Sequence, residues 1–318
     1  MLKPGILLHG GAGFYDIDSN REQEIRKAIR EAAEKGFEEL QKNARKAVVE
    51  SVKIMEDSGI FNAGVGSALT LSGRVEMDAA VMDGRDLSIG AVANLRNIKN
   101  PILVAEKVLE VTDHILLAGE GAYKFAKMIG FEDAGDLLIT AEKNRKREEM
   151  IEKWLRGDIY TTFTKLRKLF EEKSSEILGT VGAVACDFEG NLAAAVSTGG
   201  IRIKLEGRVG DSPLPGAGFY ANSEAAAVAT GIGEYIARIL LSKYACDQVS
   251  LGKSAREAAK GAINYITRIF GSDIAGIIVI DKEGRIGADF NTRGMARAYM
   301  REGLENPKIA IYKNEKFF

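Results

Sequence analysis

The chain has 318 residues, 28% of them charged and 46% hydrophobic, the balance of a globular protein with a core large enough for one big domain or two small ones. A formal net charge of −1 argues against a nucleic-acid or anionic-membrane partner held by bulk electrostatics, and no apolar run approaches the roughly 18 residues that span a bilayer. Ile6-Leu7-Leu8 is too short for a signal-peptide core, so the cytosol is the expected location. The two cysteines, Cys186 and Cys246, lack CxxC or Cys/His spacing and read as buried free thiols. With two histidines, His9 and His114, a His-rich zinc site or HExxH helix is ruled out and a His-based triad is strained. Glutamine is scarce while Lys, Arg and Glu are plentiful, a thermophile tendency.

Residues 4–9 read as a short buried strand that runs into the glycine loop Gly10-Gly11-Ala12-Gly13. Helical periodicity over 21–57 predicts two amphipathic helices meeting near Asn43. The small-residue loop 61–67 follows, then strands near 68–71, 74–82 and 87–94 and helices near 101–111 and 118–130. Residues 142–178 mix charges of both signs and read as a solvated helix or mobile linker. A second β-rich unit opens with the hairpin 181–187/191–197 around Phe188-Glu189-Gly190. Helices near 223–245 and 252–270 come next, and a last hairpin, 274–280/285–290, closes the pattern. Strand runs alternating with helix runs fit an α+β fold, two antiparallel-type sheets packed together with helices outside.

The run Gly179-Thr180-Val181-Gly182 is the most telling chemistry. In isolation Gly-Thr is an ordinary strand start. If the 179–180 bond is cut, however, Thr180 gains an α-amine of pKa about 7.7–8.0 beside its own hydroxyl, the N-terminal route to an activated nucleophile. In the hairpin that follows, Thr198 of Ser197-Thr198-Gly199-Gly200 returns to the same end as Thr180 and can orient the amine or the hydroxyl. Arg208 and Asp211 in Gly207-Arg208-Val209-Gly210-Asp211 suit the carboxylate and ammonium of a zwitterion, or make a surface ion pair. Ala229-Thr230-Gly231-Ile232-Gly233-Glu234 reads as a helix interrupted by two glycines; its backbone and the Thr230 hydroxyl could form an oxyanion hole, or serve as a helix joint. His9-Gly10-Gly11-Ala12-Gly13 lacks the GxSxG elbow of an α/β-hydrolase and reads as a packing loop.

Taken together, LLHGGAG at 7–13, FNAGVGSALT at 61–70, VEMDAAVMDG at 75–84, GAVANLRNIKNP at 90–101, GTVGAVACD at 179–187, STGG at 197–200, GRVGDSPLPGAGFYAN at 207–222 and TGIGE at 230–234 resemble the plant-type L-asparaginase / isoaspartyl peptidase family of N-terminal nucleophile hydrolases. The ordered set covers most of the chain outside 140–178 and the C-terminal tail. The resemblance implies a four-layer αββα sandwich, a single domain over 1–318, made as a precursor. That precursor cuts itself between Gly179 and Thr180 into an α subunit, 1–179, that ends in the charged linker 142–179, and a β subunit, 180–318.

By the same resemblance Thr180 is the nucleophile and its amine the base, assisted by Thr198. Thr230 and Gly231 hold the oxyanion, with Asn62 lining the pocket. Arg208 and Asp211 bind the substrate's α-carboxylate and α-amine, with Gly233 nearby. The loop 55–65 matches a structural sodium site built from the backbone carbonyls of Met55, Glu56, Ser58, Phe61, Ala63 and Val65. No organic cofactor is implied. The partners are small molecules, L-asparagine and β-aspartyl dipeptides, with a homodimer of αβ units and no nucleic acid or membrane. Two departures stand out: the linker is unusually charged, and Ile232 offers no polar group after Gly231. The rivals are an aspartylglucosaminidase-like enzyme or a threonine aspartase with the same nucleophile, and a non-catalytic amino-acid-binding protein using Arg208 and Asp211.

Overall fold

Several strands of this chain are apolar at every position rather than at alternate ones, which demands burial on both faces. The computed structural model, which describes residues 2–13, 15, 17–156 and 179–318, meets that demand with two sheets. The larger holds eight strands in the order β12 (Lys308–Ala310), β11 (Gly294–Arg301), β1 (Gly5–Gly13), β5 (Val181–Cys186), β6 (Leu192–Thr198), β2 (Met77–Asp83), β3 (Ile89–Leu95) and β4 (Leu116–Ala118). The smaller is β10 (Ile286–Phe290), β9 (Ala275–Asp281), β8 (Ala225–Gly231) and β7 (Phe219–Ala221). The pairings are antiparallel except β3 with β4.

Three apolar layers follow from the alternation. On β5, Val181, Ala183 and Ala185 face the outer helices α1 (Ser19–Glu39), α2 (Ala44–Asp57) and α3 (Pro101–Val111), while Val184 and Cys186 face the second sheet. On β8, Ala226 and Val228 face inward between the sheets, and Ala225, Ala227 and Ala229 meet the helices Leu241–Ser250 and Ala255–Phe270. Helices, sheet, sheet and helices in turn make the αββα sandwich expected from the resemblance. Both cysteines are buried and free.

The expected helices of the first half hold, within two residues at their ends. Asn43 caps α2 by accepting from the Lys46 N–H (2.9 Å), where the two helices were expected to meet. Other expectations need correction. The stretch 223–245 is not one helix: its alanines form central strand β8, because a strand pressed between two layers favours side chains small enough for both. Helices Gly233–Ile239 and Leu241–Ser250 come only afterwards. The two glycines therefore do not interrupt a helix. Gly231 closes β8 at φ +138°, and Gly233 starts the helix. The glycine loop 10–13 belongs to β1, which continues through a register shift between His9 and Ala12. Residues 68–71 form no strand, only a bridge from Leu69 to Val75, and β4, β7, β11 and β12 were not foreseen. Helix α4 (Gly119–Met128) matches expectation, and α5 (Ala141–Arg156) realises the helical part of the charged segment; its remainder, 157–178, lies outside the described residues.

Helices α1 and α2 approach closely at Gly36, where a Cβ would overlap the Ser51 hydroxyl, itself donating to the Ala32 carbonyl at 3.0 Å. Gly36→Ala is expected to overpack this joint and cost about 1–3 kcal/mol, read as a lower urea midpoint on a Thr180→Ala chain so that only one polypeptide species unfolds.

Candidate active site

The β5–β6 hairpin pairs Val181 with Ser197, so the residue preceding β5 and the last residue of β6 lie side by side. Thr180 Oγ1 donates to Thr198 Oγ1 at 3.2 Å, and Thr198 Oγ1 also accepts the Gly200 N–H at 3.0 Å. A second hydroxyl, Ser212 Oγ, stands 3.5 Å from Thr180 Oγ1. All three hydroxyl-bearing residues are buried. The nucleophile candidate thus sits in a polar cluster at the rim of an apolar sheet, oriented by two neighbours.

Gly179 crosses Gly11 almost backbone to backbone. A Cβ on Gly11, whose φ is +102°, would come within 2.9 Å of Gly179 Cα, and one on Gly179 would lie 2.8 Å from Thr230 Oγ1. A left-handed backbone at such a crossing is open to glycine alone at no steric cost. Thr230, near the end of β8, accepts the Ala12 N–H at 3.3 Å and donates to the Thr180 carbonyl at 3.5 Å. Beyond it Gly231 has no room for a side chain, since a Cβ would overlap the Ile274 carbonyl. The packing loop 10–13 therefore backs the site through Gly11 against Gly179 and Ala12 against Thr230. His9 takes no part as a base: burial pushes it down to about 3, so it is neutral in ordinary buffers, and its Nδ1 accepts the Gly11 N–H at 3.3 Å.

A pocket is lined by Asn62, Gly179, Thr180, Thr198, Asp211 and Gly231, with Arg208 and Ser212 also on its wall. Asp211 is 3% exposed and its Oδ2 has no hydrogen-bond partner. Burial pushes its carboxyl up to about 7, against the opposing pull of Arg208. An orphaned buried carboxylate at a pocket wall is a seat for a cation. Gly233 backs it, because a Cβ there would lie 2.6 Å from Asp211 Oδ1. Arg208 does not pair with Asp211 as the surface-bridge alternative required. It forks onto Glu234 through Nε (2.8 Å) and Nη2 (2.9 Å). Burial alone would raise Glu234, but the guanidinium holds it below the ordinary carboxylate range. The fork expected to grip a ligand carboxylate is thus occupied, which leaves Nη1 and the outer Nη2 hydrogen.

Asn62 ties the loop 61–67 to the site. Its Nδ2 donates to the Gly200 carbonyl (2.6 Å), its Oδ1 accepts the Ala68 N–H (2.8 Å), and its backbone carbonyl accepts the Gly199 N–H (2.9 Å). The carbonyls expected to hold sodium do not share one loop: Met55 and Glu56 lie in the last turn of α2 and Ser58 caps it, while Phe61, Ala63 and Val65 lie on the loop, which Gly64 (φ +51°) turns against Glu56. Met55 O accepts the Ser58 hydroxyl (2.8 Å), Phe61 O the Ala63 N–H (2.9 Å), Ala63 O the Gly66 N–H (3.0 Å) and Val65 O the Lys143 ammonium (2.6 Å). Neutral carbonyls suit a hard monovalent cation, and an ammonium already stands on one of them. The donor set fits such an ion in kind. The Glu56 side chain is engaged elsewhere, accepting the Ile102 N–H at the start of α3 (3.1 Å).

Comparison with known proteins agrees with this geometry. A family profile described as Asparaginase matches residues 2–310. The chain belongs to this family. The asparaginase family groups it with N-terminal nucleophile hydrolases, in keeping with the αββα layers and a threonine nucleophile. It is 46% identical over 307 residues to the plant-type L-asparaginase of Pyrococcus horikoshii, covering 96% of this chain and 99% of that protein. It is 43% identical over 300 residues to the plant-type L-asparaginase of Pyrobaculum calidifontis, covering 94% and 97%. To the isoaspartyl peptidase/L-asparaginase of Xenopus laevis it is 40% identical over 318 residues, covering 99% and 97%.

Within this asparaginase-family site, sequence reasoning missed Ser212, Glu234 and the contacts of Gly11 with Gly179 and of Ala12 with Thr230. Ser212 directly follows Asp211 and Glu234 closes the TGIGE motif, so both stood inside quoted motifs without a role; only the fold reveals their partners. Two outcomes are expected. Gly179→Ala should slow cleavage of the 179–180 bond, seen by intact mass over time, because its Cβ has no room beside Thr230. A folded-state Asp211 near 7 implies stability that is full below the unfolded value of about 3.9 and lost as pH rises toward 7. On a Thr180→Ala chain, Asp211→Asn should therefore raise the thermal midpoint at pH 8, with the gain shrinking toward pH 4.

Proposed function

We propose that this chain is a self-cleaving amidohydrolase that hydrolyses L-asparagine to aspartate and ammonia and cleaves β-aspartyl (isoaspartyl) dipeptides through a β-aspartyl ester on Thr180. The observation that carries this reading is the pairing, in one pocket, of a buried threonine hydroxyl following a glycine with an unpartnered buried carboxylate at Asp211. The names of the relatives, L-asparaginase and isoaspartyl peptidase, support the substrate class.

In maturation Thr180 Oγ1 attacks the Gly179 carbonyl carbon. The peptide nitrogen leaves as the Thr180 amine, taking the hydroxyl proton, and an ester joins Gly179 to Thr180 Oγ1. Water then cleaves the ester, releasing the Gly179 carboxylate and regenerating the hydroxyl. In the mature enzyme the free amine takes the Thr180 proton as the oxygen attacks the substrate's side-chain carbonyl. The negative charge that develops falls to the Thr230 hydroxyl and the Gly231 N–H. Collapse expels ammonia, or the amine of a peptide, which carries away the proton held by the Thr180 amine. The aspartyl ester is hydrolysed in turn.

Asp211 receives the substrate's α-ammonium, and that cation brings the carboxyl back to its ionised form. Arg208 meets the α-carboxylate with the donors left over from Glu234, which fixes the plane of the guanidinium. Thr198 and Ser212 hold the nucleophile's hydroxyl, and Gly233 leaves space beside the ammonium. No helix of the described residues is long and apolar enough to cross a membrane; a cytosolic setting and a dimer of αβ units belong to this proposal.

Intact mass on the purified protein over a time course tests it. The expected outcome is two fragments, 1–179 and 180–318, with release of ammonia from L-asparagine. Thr180→Ala should stay whole and inactive, and Thr230→Ala on a cleaved chain should lose about 10²–10³-fold in kcat. A wild-type chain that never cuts and turns nothing over, yet binds aspartate saturably, would replace the hydrolase with a binding protein.

A further inference from the structure

Helix α5 carries a basic residue onto the end of the loop 61–67 with an unusual set of partners. Lys143 Nζ donates to the Val65 carbonyl at 2.6 Å and to the Leu138 carbonyl at 2.8 Å. It is partly buried, and no carboxylate among the described residues pairs with it. One turn along the same helix, Arg147 Nη1 donates to the Leu71 carbonyl at 2.8 Å. Both cations therefore reach backbone oxygens at the two ends of the 65–71 segment, although Arg147 also pairs with Glu148 (3.6 Å). Most desolvated ammonium groups in proteins are matched by an anion. This one is matched as an alkali ion would be, by carbonyl dipoles alone.

We propose that in the uncut chain Lys143 is the resident cation at Val65, the last of the six expected carbonyls, so that linker helix α5 and a free sodium ion compete for that oxygen. The loop 61–67 also holds Asn62, which fixes Gly199 and Gly200 beside Thr198. A cation on Val65 thus stiffens the support of the nucleophile's neighbour. In the uncut chain that cation is tethered covalently to the segment leading to the scissile bond. A second monovalent cation on the same oxygen would stand a few ångströms from the ammonium and be repelled by it. Release of α5 would free the oxygen for an alkali ion.

The test needs no catalysis, so its failure and that of the hydrolase reading are separable. On the Thr180→Ala chain, which keeps the linker joined to Gly179, thermal midpoints are compared in sodium chloride and in choline chloride at equal concentration. The Thr180→Ala chain should show the same midpoint in both salts. Adding Lys143→Gln, which keeps a donor but removes the charge, should lower the midpoint in choline chloride, and sodium should restore several degrees of it by binding the folded state. Equal sodium gains in the two chains, or no sodium gain in the Lys143→Gln chain, would overturn the proposal. If the double variant fails to fold, sodium-23 relaxation of the Thr180→Ala chain decides. A bound-sodium contribution from the folded chain would sink the idea, and its absence, with the broadening appearing once the linker is cut and removed, would support it.

Discussion

Two sheets that must each hide both faces leave a narrow choice of side chains at their centre, and the rest of the molecule is arranged around that choice. Strands β5, β6 and β8 answer it with alanine, valine and cysteine, small enough to meet a helix layer on one side and a sheet on the other. A hydroxyl in the middle of such a strand would be stranded without a partner, at a cost of roughly 1–3 kcal/mol. Polar chemistry is pushed to the strand ends. Thr180 precedes β5, Thr198 ends β6, and Thr230 stands one residue from the end of β8, so the three threonines converge on one rim of the sandwich.

The charges behind that rim follow the same logic. Asp78 and Asp211 are both driven upward by burial, and each leaves an oxygen without a hydrogen bond. Lys204, fully buried, is driven downward by burial and donates to the Glu76 carbonyl at 2.9 Å. Arg208 stands among these groups with its fork on Glu234. Asp78 and Lys204 pull on each other behind the pocket, and of the group only Asp211 and Arg208 reach its wall. Structural stability and ligand affinity pull in opposite directions at Asp211, as is common where function sets the residue.

Much of this was legible in the chain. The hairpin around 188–190 places Thr198 beside Thr180 by counting residues, and the structure returns a 3.2 Å contact. The helices 101–111 and α2 could be bounded from Pro101 and Asn43. The misreading of 223–245 has a physical cause: alanine has the highest helix propensity, and nothing local tells a doubly buried strand from a helix until its neighbours are known. The Arg208–Glu234 pair spans 26 positions, and the Lys143–Val65 contact 78. Such pairings depend on chain crossings that no periodicity encodes. Conversely, the close passage of Gly11 and Gly179 was visible only as two glycine-rich motifs with no stated relation.

That passage has a consequence for what the pocket can admit. The backbone of Gly179 lies against Thr230 before any substrate arrives, so the chain folds around its own scissile peptide as clay sets around a form. When the peptide is cut and Gly179 withdraws, the place it held beside Thr230 opens to the carbonyl of a substrate. The residue tolerated before the nucleophile and the acyl group accepted afterwards are thus two readings of one mould. Selection on either one, for faster maturation or for broader substrates, reshapes the other.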